Sequence, residues 1–116
     1  MKVDKRQNVP AGLPKEKDVK GVRLQVLMSD KDGAPNFIMR VFEIEPGGYT
    51  PFHGHPWEHE VYVLEGKGAL KSKAGEHPLE KDSFALVDPD EEHQFVNKGD
   101  TPFRFICVIP IPEPGQ

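Results

Sequence analysis

The stretch "FHGHPWEHEVYVLEGKG", Phe52 to Gly68, holds three of the chain's five histidines within seven positions and then turns abruptly apolar. His53 and His55 are two apart, so on an extended chain both imidazoles project to one face. His59 follows a Pro56–Trp57 corner and leads into "EVYVLE" (60–65), whose alternation reads as a strand ended by the Gly66–Lys67–Gly68 turn. A fourth histidine, His93, opens "HQFVN" (93–97) far along the chain and shares a face with Phe95. His77, in the "GEHP" turn, reads as a solvated loop histidine.

Working outward, the chain is a series of short strands broken by turn residues. "RLQVLM" (23–28) and "FIMRVFEIE" (37–45) precede a breaker, Pro46–Gly47–Gly48. "ALKSK", "EHPLE", "SFALV" (83–87) and "FRFICVI" (103–109) complete the set, with tight turns at Ala74–Gly75 and Lys98–Gly99. No apolar 3.6-residue period persists for three turns between residues 20 and 110. Many short strands at close spacing predict an all-β barrel or sandwich. Residues 1–20, with Pro10, Pro14 and many charges, read as an arm, residues 21–110 as the barrel and residues 111–116 as a tail.

In "FRFICVI", Phe103, Phe105, Cys107 and Ile109 share one face, and Arg104, Ile106 and Val108 the other. Both faces turn apolar towards the strand's end, as they do in "EVYVLE". A strand coated on both sides needs two apolar neighbours: the barrel interior and either a second subunit or the N-terminal arm. A homodimer is the expectation taken from this.

Bulk properties narrow the function. At 116 residues the chain fits one domain, commonly about 100–150 residues. A net charge of −4 with scattered lysines gives no footprint for nucleic acid or an anionic membrane. No window approaches the roughly 18–20 apolar residues of a membrane span, and the start "MKVDKRQNVPAG" lacks the apolar core of a secretory signal. The single Cys107 excludes an intramolecular disulfide and suits a reducing compartment. A cytoplasmic location is the default expectation.

Four imidazoles from one corner and one distant strand are how a β-barrel assembles a metal site, and neutral imidazole suits divalent zinc, copper, iron and nickel. From Gly47 onward the chain resembles the cupins, small jelly-roll β-barrels marked by two motifs. In the first, Gly47 is followed by "GYTPF", "HGH", "PWE", His59, "EVYVLE" and Gly66. The second is matched by "DSFALVDPDEEHQFVN", in which Asp82 and Asp88 stand at the usual Gly and Pro, Asp90 at the second Gly, and His93 and Asn97 fit. His59 occupies the place of the usual glutamate ligand. Taking Glu60 instead would shorten the spacing to Gly66 and turn His59 to the other face. The style of the motifs is similar to that of small bacterial four-histidine cupins, described as manganese- or other metal-binding.

The resemblance implies a single-domain cupin jelly roll with a divalent ion (Mn, Fe, Ni, Cu or Zn) held by His53, His55, His59 and His93. A small-molecule substrate would occupy a cavity lined by Phe95, Phe103, Phe105, Cys107 and Ile109. Few basic residues belong to that cavity, Arg104 falling on the opposite face, which weighs against a sugar phosphate. No nucleophile with a dedicated base is visible, so the catalytic residues stay open. The expectation leans towards an enzyme: a dioxygenase-like oxidoreductase acting on a small chelating or aromatic substrate. A metal-dependent isomerase or lyase using the ion as a Lewis acid, and a non-catalytic binding barrel, are the alternatives.

Overall fold

The computed structural model describes residues 1–112; of the tail expected over 111–116, residues 113–116 lie outside the described part. Eight strands follow in order: β1 Lys20–Met28, β2 Phe37–Tyr49, β3 His59–Glu65, β4 Gly68–Ser72, β5 Gly75–Leu79, β6 Phe84–Val87, β7 His93–Asn97 and β8 Phe103–Pro110. The only helical turns among the described residues are two 3-10 pieces, Arg6–Asn8 and Asp30–Asp32. All pairings are antiparallel, in the order β5-β4-β7-β2-β8-β3-β6 with β1 on the free side of β2. The all-β expectation holds, and the architecture is a jelly roll.

One expectation about β2 changes. Pro46–Gly47–Gly48 does not end the strand; it bends it. The β1–β2 register jumps from Val22↔Ile44 to Lys20↔Tyr49 across this segment, and Gly47 takes φ +81. The Cα of Gly48 is so close to its neighbours that a Cβ would stand 2.6 Å from the Lys20 carbonyl oxygen. A bulge of this kind lets one strand serve two sheets. The body of β2 pairs with β1 and β8, while Tyr49 beyond the bend pairs with Val96 of β7.

Alternation fills the interior. Ile44 and Val63 are fully enclosed, and Phe103, Phe105, Cys107 and Ile109 are buried in turn along β8. Phe103 sits on Gly68, where a Cβ would lie 2.4 Å from its ring. Asn97 locks this end: its Nδ2 donates to the carbonyls of Ile44 and Thr101, both at 2.8 Å, and its Oδ1 accepts the Gly99 N–H. In the turns on either side of β6, Asp82 and Asp90 adopt the left-handed conformation, φ +69 and +66. These are the positions where the cupin motif has glycine. Aspartate is among the few side chains that tolerate this region, so the motif's turns survive the substitutions.

Outside, Glu43 bridges Arg23 at 2.8 Å and Arg104 at 2.9 Å, and the Arg23 and Arg104 guanidinium groups hold its carboxyl below the usual range. The arm runs along β1, where Gly12 pairs with Leu24 and Gln25 donates to the Arg6 and Val9 carbonyls. It leaves the outer face of β3 and β6 open: Phe84 is 81% exposed, Leu86 59% and Tyr62 45%.

Candidate functional site

The four histidines gather at one end of the barrel. The His53–Gly54–His55 segment is pinned to β7 by two backbone hydrogen bonds between His53 and His93, 3.0 and 2.8 Å, and by the Asp90 N–H donating to the His55 carbonyl at 2.6 Å. Gly54 lies against that backbone, where a Cβ would come within 3.2 Å of the Asp90 oxygen. Strand parity turns His59 inward and buried while Glu60 stays exposed. His93 is buried at the start of β7. Ring centroids lie 4.4 Å apart for His53–His55, 5.3 Å for His53–His93, 5.4 Å for His55–His59 and 4.8 Å for His59–His93.

Two of these pairs meet edge to face, His53–His55 and His59–His93, and the other two are tilted. Among the described residues, no group of three or more His, Cys, Asp or Glu side chains is disposed to hold a metal ion. The chemistry of the donors is nevertheless that of ligands. Burial, followed by the positive charge His55 and His93 would place nearby, lowers the His53 pKa to about 4. Burial and then His93 and Arg40 lower His59 to about 3. His55 and His93 are lowered as well, again chiefly by burial. The imidazoles are therefore neutral at pH 7, with lone pairs available. His93 Nδ1 lies 2.9 Å from the Glu91 carbonyl, an arrangement that places the proton on Nδ1 and frees Nε2. His59 Nδ1 is buried with no hydrogen-bond partner.

The cavity beside them is narrow, with about 60 Å³ of room for a water-sized sphere, or about 490 Å³ when the open solvent at its mouth is counted. Of the pocket residues expected from sequence, Phe95, Phe105 and Cys107 line it. Phe103 and Ile109 share their strand face but lie outside the lining, Phe103 because it packs deeper, on Gly68. Trp57 stacks flat on His55 at 4.7 Å and packs against the core, also outside the lining. His77 is exposed on β5, away from the cluster.

Sequence reasoning missed part of the wall. Arg40 and Phe42 of β2 face inward, Phe42 stacked on Phe105 at 5.3 Å and Phe105 on Phe95 at 4.5 Å. Arg40 is the one arginine among the described lining residues; the expectation of few basic residues there did not name it. Its signal was present: in "FIMRVFEIE", Ile38, Arg40, Phe42 and Ile44 alternate onto one face, and Arg40 is the odd cation among them. Pro14, Glu16 and Val19 bring the N-terminal arm to the cavity mouth. Only the folded chain shows that contact.

Residues 40–109 match the Cupin domain family. The chain belongs to the cupins. The tetracenomycin polyketide synthase protein TcmJ of Streptomyces glaucescens is 30% identical over 89 residues, which is 72% of this chain and 60% of that protein. A glucose-6-phosphate isomerase of Pyrococcus horikoshii is 34% identical over 99 residues, 73% of this chain and 51% of the isomerase. The chain thus spans roughly half to three-fifths of these relatives' length. Among solved structures, the polyketide cyclase RemF from Streptomyces resistomycificus superposes with a TM-score of 0.92 and 34% identity, over 98% of this chain and 82% of that one. This cupin therefore combines a shared barrel with the cavity of neutral imidazoles, aromatic rings and one arginine described above.

Proposed function

We propose that this cupin is a cyclase-type enzyme that folds a short poly-β-carbonyl chain in its aromatic cavity and promotes an intramolecular aldol condensation. The observation that carries the reading is the 34% identity to the polyketide cyclase RemF across nearly the whole chain. The likeness to TcmJ points the same way. It displaces the dioxygenase expectation, which rested on the cupin resemblance alone, because fold does not dictate chemistry.

In this reading His53, His55, His59 and His93 hold a divalent ion, for which the orphaned His59 Nδ1 and the neutral donor set are suited. When bound, the ion supplies a Lewis acid to neighbouring carbonyl oxygens, acidifying the C–H between them. The side chains do the rest. Phe42, Phe95 and Phe105, stacked on one another, make an apolar wall that excludes water. Glu16, the one carboxylate in the lining, takes the methylene proton at the mouth. The carbanion carbon then bonds to a ketone carbon of the same chain, the new alkoxide takes a proton, and loss of one water gives the unsaturated ring. Atoms balance without an oxidant.

A linear poly-β-ketone thioester, incubated with metal-loaded and EDTA-treated protein, tests this by mass spectrometry. The expected result is a dehydrated cyclic product formed faster and more regioselectively than in buffer, with loss of the effect in His59→Ala. A product mixture indistinguishable from the spontaneous one sinks the proposal. Incorporation of labelled oxygen from ¹⁸O₂ would restore the dioxygenase reading.

The open apolar face of β3 and β6 supports a further element of the proposal, a homodimer that covers Tyr62, Phe84 and Leu86.

A further inference from the structure

Arg40 is an unusual resident of a barrel interior. It lies on β2 opposite Cys107 of β8, lines the cavity with the histidines, and forms no ion pair among the described residues. Its polar contacts there are few. Nη2 donates to Cys107 Sγ at 3.2 Å, and the guanidinium carbon stands 4.9 Å from the Phe42 ring centroid. Neither neutralises it. Burial pushes the Cys107 thiol above its ordinary pKa, so the sulfur is a neutral, weak acceptor. The Phe42 face attracts the cation without accepting a proton. Arg40 Nε is buried with no partner at all.

A half-buried guanidinium with an unused N–H is a costly feature unless an acceptor completes it. Glu43 completes Arg23 and Arg104 on the outer face; inside, no carboxylate among the described residues pairs with Arg40, and Glu16 lines the same cavity without bonding to it. The wall around Arg40 narrows the kind of acceptor. Phe42, Phe95 and Phe105 stack on one another as an apolar aromatic wall, and Arg40 brings one cation to it, with the Glu16 carboxylate at the mouth. The planar fork takes a carboxylate or enolate bidentately, and one guanidinium neutralises a monoanion but leaves a phosphate dianion with a net charge in an apolar cavity.

We propose that Arg40 is the anion-binding residue of the cavity, receiving the carboxylate or enolate oxygen of a small conjugated monoanion whose body packs against the aromatic wall beside it. The proposal rests on the reading of this cavity as the substrate site, and it adds the substrate's charge and the residue that orients it. With the anionic end on Arg40, the rest of the molecule extends towards the imidazoles and Glu16.

Benzoate and its neutral isostere benzamide are suitable probes, titrated by calorimetry into intact EDTA-treated protein and again into zinc-loaded protein. Benzoate should bind at least about tenfold more tightly than benzamide in both, and the Arg40 Nε–H resonance of wild-type protein should move downfield with benzoate only. Arg40→Met should erase the preference, Arg40→Lys should keep part of it as a point charge without the fork, and His77→Ala, at an exposed position on β5 away from the cavity, should retain it. Equal binding of the two probes, a preference that survives Arg40→Met, or an unmoved Nε–H resonance overturns the assignment. Tighter binding of phenyl phosphate than of benzoate overturns the monoanion. The resonance reports on wild-type protein, so the test survives a variant that fails to fold. Benzoate preference without any cyclisation keeps Arg40 and removes the cyclase; cyclisation without the preference does the reverse.

Discussion

The two ends of this barrel use the same strands and the same alternation, yet they are finished differently. At the Phe103 end every polar group is spent: Asn97 gives both protons and accepts a third hydrogen bond, and Gly68 admits the Phe103 ring. At the histidine end, His59 Nδ1 and Arg40 Nε are buried without partners, and the imidazoles are kept neutral by burial. Four residues along β8, from Phe103 to Cys107, cover the change from one regime to the other. The closed end stabilises the fold and the open end carries unmade hydrogen bonds at a cost that the closed part offsets, and the proposed ligand would complete them.

The contrast can be broken at several points. Phe103→Ala should lower unfolding stability most, by about 3–5 kcal/mol in urea titrations, since it empties a filled layer. A loss below about 1 kcal/mol would mean the closed end is not tightly packed. Asn97→Ala should cost about 2–3 kcal/mol by stranding the Ile44 carbonyl. Acid should act at the open end. The His53 and His59 pKa values fall to about 4 and about 3 in the native state, so below about 6.5 the unfolded chain binds protons that the folded chain refuses. This contribution is complete above pH 6.5 and lost as pH falls towards 4. In EDTA-treated protein, His59→Leu should therefore flatten the fall in urea midpoint between pH 7 and pH 4.5; an unchanged slope would contradict the burial assigned to that ring.

Smaller effects sharpen the picture. Phe84→Glu should leave the melting temperature of the monomer nearly unchanged while converting a dimer to a monomer by light scattering. A wild-type protein already monomeric at high concentration removes the dimer. Asp90→Gly should change stability by no more than about 0.5 kcal/mol, because relief of the left-handed strain is offset by the greater freedom of glycine when unfolded. A larger loss would show that the carboxylate itself holds the loop.

Much of the fold was legible because period-two alternation and turn residues are local signals. The strands around Glu60–Glu65, His93–Asn97 and Phe103–Ile109 fall within a residue or two of their observed bounds. Pro46–Gly47–Gly48 misled because the same residues that break a strand also make the bulge that carries it round a corner. At the site, the inward face of His59 followed from parity. Arg40 was hidden because β2 is apolar on both faces over Ile38–Phe42, so alternation did not say which face was the interior.

The sequence by itself determined the all-β class and which residues of β3 and β8 share a face, because each depends on alternation along one strand; the jelly roll came with the cupin resemblance. Tertiary structure alone decided that Arg40 meets Cys107 inside, that Phe103 belongs to the closed end, and that the arm reaches the mouth through Pro14 and Glu16. Those facts depend on which strands become neighbours and how deep each layer lies. Pairing and depth are set by the whole sheet closing at once, and no local period records them.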